Sequence, residues 1–221
     1  MDIPFTVEEF FQVFERYNLS LWPVQVILFV LALAVLFCLY WISSRTNKMV
    51  FTILAILWMW MGVVYHIVYF SSVNQAAYLF GALFIIQGLI LFYFGVAKEA
   101  IPLHASFDAF NIIGGILIFY AVIGYPILGH VLGHMYPQAP TFGVPCPTTI
   151  FTFGVLLSSI KRVPWYVLVI PFLWSILGFF AAIELTIKED FGLLIAGIVS
   201  TVILAFFKPK KLEKNSVTVT V

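Results

Sequence analysis

Residues 26–39 read VILFVLALAVLFCL, an almost uniformly apolar run. A membrane-spanning β-strand alternates apolar and polar positions over about ten residues, and nothing here alternates. The run is therefore a helix, apolar on every side. Extended to 22–42, it reaches the roughly 20 residues needed to cross a hydrocarbon core of about 30 Å. The rest of the chain is of the same kind. Of 221 residues, 63% are hydrophobic and 10% charged, with a mean hydropathy of +1.09, values that exclude a water-soluble domain. Five further charge-poor runs match the first, at 49–70, 76–97, 109–130, 163–183 and 191–207. A seventh, at 147–160, is too short to cross unaided: it either starts inside the bundle or dips in and returns.

Loop charge chooses between these, because basic residues favour the cytoplasmic side. If all seven segments cross, Arg45, Lys48, Lys98, Lys161, Arg162, Lys208, Lys210, Lys211 and Lys214 share one side, nine of the eleven Lys and Arg residues, against Arg16 and Lys188 on the other. A re-entrant 147–160 segment would divide them seven to four, with the larger share outside. The expectation is an all-α polytopic membrane bundle of seven transmembrane helices at 20–207, with the N-terminus out and the C-terminus in. Residues 1–19 set Phe5, Phe10, Phe11, Phe14 and Tyr17 against Glu8, Glu9, Glu15 and Arg16, the pattern of an amphipathic helix lying on the outer surface. Residues 208–221 form a basic cytoplasmic tail, whose KPKK run is drawn to anionic lipid rather than nucleic acid. Trp22, Tyr40, Trp41, Tyr65, Tyr69, Trp165 and Tyr166 stand at span ends, where amphipathic rings settle at the headgroup level. The lead lacks the short apolar core and small-residue cleavage pattern of a signal peptide.

Gly81, Gly88 and Gly95 recur every seven residues, and Gly129 and Gly133 make a second small-residue pair. Such residues let helices approach closely, within one bundle or across a homo-oligomer contact. Pro126 and Pro171 should bend their helices.

Threading the polar residues onto seven spans puts His66, His130, His134, Cys146 and Glu184 at the outer level. His130 and His134, four apart, would share one helix face. With Cys146 and His66 they would make a four-ligand nitrogen and sulfur set of the kind zinc or copper accepts. The same imidazoles also suit helix ends or carbonyls freed by a proline, or a haem b held between His66 and His130 or His134. The stretch at 140–149, PTFGVPCPTT, should not be regular helix, because Pro145 and Pro147 remove donors and extend the residues before them. If it descends between helices, Thr148, Thr149 and Thr152 line a helix N-terminus able to bind an anion or carbonyl; if it is a rigid outer loop, Thr148 or Thr149 caps the helix. On the inner side Asp108 reads as a helix cap and His104 as a surface residue, not as parts of a triad with Ser106. Gln25, Gln87 and Asn111 should bond between helices. Cys38 and Cys146 fall at opposite ends and should not bridge.

The segment at 140–154, PTFGVPCPTTIFTFG, and the surrounding hydrophobic layout resemble a family of bacterial multi-pass membrane proteins known only as a domain of unknown function. The resemblance covers most of the chain and implies the bacterial inner (plasma) membrane, with no activity attached. Microbial rhodopsins fit poorly, since 191–207 has no lysine for retinal. Ceramidase-like zinc hydrolases carry their HxxxH pair in the last helix, whereas here it closes the fourth span. The functional expectation is a permease or metal-handling protein that takes a soft metal ion or small solute in an outward-facing pocket. One alternative is a membrane-embedded metal-dependent hydrolase with Glu184 as general base on a metal-bound water. Another is a non-catalytic structural or accessory subunit.

Overall fold

The computed structural model describes residues 4–207, and the basic tail at 208–221 lies outside them. Among the described residues the fold is all-helical: α1 (Val7–Ser20), α2 (Val24–Tyr40), α3 (Ser44–Ser72), α4 (Ala77–Ala97), α5 (Ala109–Val131), α6 (Pro145–Leu156), α7 (Trp165–Leu185) and α8 (Lys188–Phe207). Extended pairing is limited there to two isolated bridges, Leu103 with Ser159 and Phe142 with Val144. By length and apolarity α3, α4, α5, α7 and α8 can each cross a membrane; α1 and α2, bent by 87°, raise the number to six if taken as one span.

Local chemistry starts the helices where the sequence changes character. Thr6 accepts from the Glu9 amide at 3.2 Å while the Glu9 carboxylate accepts from the Thr6 amide at 2.7 Å, a capping box for α1. The Thr6 backbone N–H, with its hydroxyl, holds the Glu9 carboxyl below its ordinary range. Ser43 and Thr46 exchange the equivalent bonds at the start of α3. Asp108 accepts from the Phe110 and Asn111 amides at 2.8 and 3.0 Å, so it caps α5 as expected, with His104 exposed nearby.

Contacts divide the bundle into two ends. At the basic end, Lys48 pairs with Glu99 at 2.9 Å, Asn47 accepts from the Leu103 amide at 2.9 Å, the His104 and Ile160 amides donate to Ser158 and Pro102, and the Val163 amide donates to Leu204. At the other, the α1 end, Arg16 donates to Ser72 at 3.0 Å, Trp60 to Tyr17 at 2.8 Å, and Asn18 to the Pro137 and Ala139 carbonyls at 2.7 and 2.8 Å. The short α6 runs between the same two ends: Cys146 lies at the α1 end beside Asp190, while Ser158 and Ser159, just past its last turn, join the basic-end loops. Its 12 residues rise only about 18 Å.

The expectation that prolines keep 140–149 out of helix needs correction at its second half. Val144 is extended, at φ −90° and ψ 165°, but α6 begins at Pro145 and holds Cys146, Pro147, Thr148 and Thr149 inside it. First-turn amides have no intrahelical partner, so Pro145 and Pro147 sacrifice little there. Neither threonine caps the helix. Thr148 Oγ1 accepts instead from the Gly143 amide at 3.2 Å, and Thr152 Oγ1 bonds back to the Thr148 carbonyl at 2.8 Å and accepts from the Trp58 indole at 3.0 Å.

Gly81, Gly88 and Gly95 all face α3. A Cβ on Gly81 would come within 2.8 Å of the Gly62 carbonyl oxygen, one on Gly88 within 2.9 Å of the Ala55 oxygen, and one on Gly95 would strike the Phe51 ring. Gly114 of α5 and Gly154 of α6 make a second close crossing, each meeting the other's carbonyl oxygen. Gly129 lies against the Glu189 side chain of α8, where a Cβ would come within 3.2 Å of Oε1, while a Cβ on Gly133 would meet nothing within 4 Å. Gly133, at φ +96°, turns the chain out of α5.

Candidate functional site

The turn that ends α5 decides what the histidines can do. Helical geometry stops at Val131, and the His134 amide bonds back to the Gly129 carbonyl at 2.9 Å, a glycine-closed helix end. His130 and His134 therefore do not sit one turn apart on one helix face. His66 is fully buried at the wide turn of α3, its ring 4.6 Å from Phe84 and 5.2 Å from both Tyr65 and Trp174, with no partner on either nitrogen. His130 is exposed and His134 half-buried; Cys146 lies against Asp190. Among the described residues no group of three or more His, Cys, Asp or Glu is placed to hold a metal ion. Zinc or copper held by His66, His130, His134 and Cys146 is thus not supported. His130 and His134 border a cavity that His66 does not line.

The α1 end gathers a different set. A cavity of about 520 Å³ opens between α1 and the adjoining ends of α3, α4, α5, α6 and α7. Its walls are rings from several helices: Phe10 and Phe14 of α1, Tyr65 and Phe70 of α3, Phe80 of α4 and Trp174 of α7. They interlock, with Phe14 stacked on Tyr65 at 5.8 Å, Phe10 edge-on to Phe70 at 5.8 Å and Phe80 edge-on to Trp174 at 5.5 Å. The apolar face of α1 is used here: Val13, Phe14 and Tyr17 are buried against protein, so α1 roofs the cavity instead of merely resting on a surface.

Asp190, in the first turn of α8, belongs to the same wall and is buried. The Tyr125 hydroxyl donates to its Oδ1 at 2.5 Å, and the Cys146 thiol interacts with it. The Trp174 indole also meets the Cys146 thiol. Of the residues singled out in the sequence, Cys146 and Glu184 line this cavity, whereas Thr148, Thr149 and Thr152 are buried behind it in α6. Among the described residues, no lysine, arginine or histidine lines it.

A second cavity, of about 460 Å³, lies across Tyr125 and Pro140, which border both. His130, His134, Gln25 and Glu189 line it. Glu189 is fully buried and meets the His134 Nδ1 at 2.6 Å. The Tyr120 hydroxyl donates to the Glu189 carbonyl at 2.6 Å.

A family model, described as a family of unknown function (DUF6064), matches residues 7–215. The chain belongs to this family. The matched range takes in all eight helices, so the fold and both cavities lie within the family's own extent. No curated protein and no solved structure matches the chain. Sequence reasoning missed Glu189 and Asp190, which looked like loop acids before a span. The signal was there in weak form: two consecutive carboxylates directly abutting an apolar run, where a charge is costly unless something partners it.

Proposed function

We propose that this protein binds, in the membrane and from the α1 end, a small solute with an apolar or aromatic body and a protonated amine head, and that it acts as a permease for such solutes. The observation that carries the reading is the first cavity, which joins aromatic walls to a buried carboxylate without a basic side chain. Ring faces attract cations. A carboxylate taken out of water needs charged or hydrogen-bonding compensation, and an ammonium group adds to what Tyr125 and Cys146 supply. Anionic solutes meet the opposite field.

The accompanying topology is seven crossings of a bacterial inner membrane, with the α1 end outside and the basic end in the cytoplasm. Two observations support it. α6 reaches both ends of the bundle, and Arg45, Lys48, Lys98, Lys161 and Arg162 collect at the end opposite Arg16 and Lys188, as the rule for cytoplasmic loops requires.

The test is calorimetric titration of detergent-purified protein with phenethylamine, its neutral alcohol counterpart and phenylacetate. The amine should bind most tightly, and Asp190→Asn should weaken it by at least about tenfold, the effect of losing one charged hydrogen bond. Equal binding of amine and acid, or an unchanged affinity in Asp190→Asn, would refute the proposal.

A further inference from the structure

The second cavity has features that the first does not explain. Two of its lining side chains carry buried oxygens with no partner: Oε2 of Glu189 and Oε1 of Gln25. Neither residue is loose. Gln25 donates its Nε2 to the Asn18 carbonyl at 2.9 Å, and Glu189 is held through Oε1 by His134, whose ring in turn packs on Phe11 at 4.8 Å. Each side chain is thus anchored by one polar atom while the other is left unsatisfied. A buried acceptor without a donor is costly, and two on one cavity wall form a set waiting for donors. Among the described residues, the remaining ionisable groups on that wall are His130, His134, Tyr125 and Tyr136, with no lysine or arginine.

We infer that this cavity is a second binding site, for a small protonated amine whose N–H groups donate to Glu189 Oε2 and Gln25 Oε1. Its chemistry differs from that of the first cavity. Its two open acceptors select for N–H donors, so a compact amine without a ring suffices, whereas the first cavity selects for a ring. Glu189 and Asp190 are consecutive in one turn, one bordering each cavity, which places the two sites on either side of the same short piece of backbone.

The experiment is titration of the purified full chain with methylammonium chloride, using tetramethylammonium chloride, which has no N–H, as the matched comparison. Wild type should bind methylammonium saturably and tetramethylammonium at least about tenfold more weakly, and Glu189→Gln and Gln25→Leu should each lower the methylammonium affinity by at least about tenfold. Where Glu189→Gln does not fold, as judged by circular dichroism, Gln25→Leu and the comparison of the two cations in wild type decide. Absence of saturable methylammonium binding, equal affinity for the two cations, or affinity unchanged in a folded variant would overturn the inference. Because methylammonium has no ring, its failure to bind leaves the phenethylamine result to stand or fall separately.

Discussion

The two ends of the bundle treat polar groups in opposite ways. At the basic end the polar loop side chains answer one another: Lys48 and Ser44 both bind Glu99, Asn47 uses its amide on Ile101 and its oxygen on Leu103, and Ser159 donates to the Lys161 carbonyl. At the α1 end two cavities open, and Gln25 and Glu189 on the wall of one carry buried oxygens without a partner; Gln87, Ser200 and Thr201, nearer the basic end, carry such atoms with neither cavity beside them. An unsatisfied buried polar group costs about 1–3 kcal/mol, and at the α1 end that cost falls on a cavity wall. The contrast is between a basic end that closes the structure and an α1 end that encloses two cavities.

The strongest way to break that comparison is at the residue that joins the two halves. Trp58 is fully buried, packs 4.6 Å from Phe84 and donates to Thr152 of α6. Trp58→Ala should cost about 3–5 kcal/mol and lower the temperature at which both ends melt together; amine binding that survives after the helices melt would show that the ends are independent. A smaller loss, about 1–3 kcal/mol, is expected for Asn47→Ala at the basic end, seen as a reduced Tm with phenethylamine affinity unchanged. Asp190→Asn should do the reverse, leaving Tm nearly constant while amine affinity falls by about 1.4 kcal/mol or more. The smallest effect is acidic. The Lys48 ammonium and, less strongly, the Ser44 hydroxyl hold the Glu99 carboxyl below its ordinary value of 4.5, so the pair's contribution is present above that value and fades as the pH falls through the lowered one. Melting curves taken from pH 7 down to that acidic range should show a slight decline that Glu99→Gln removes and that salt reduces.

Much of the fold was legible because apolar runs of sufficient length have few alternatives. The segments at 49–70, 76–97, 109–130 and 163–183 lie within five residues of α3, α4, α5 and α7 at each end. The glycine line at 81, 88 and 95 also read correctly as packing inside the bundle. Two things were hidden. Spacing alone could not show that Gly133 ends α5 before His134, and the i, i+4 pairing of histidines depends on the helix continuing. Nor could local sequence show that α1 folds back over the bundle through Tyr17 and Asn18. That return is what encloses the cavity around Asp190, turning an acid at a span boundary into a buried one.

The most direct test of the α1 end as a binding end is a structure of the protein with 4-bromophenethylamine, located by the anomalous scattering of bromine. The account predicts one bromine peak among Phe10, Phe14, Phe70 and Trp174, with the amine nitrogen within hydrogen-bonding reach of Asp190. Bromine scattered over the lipid-facing surface, with both cavities empty, would contradict it.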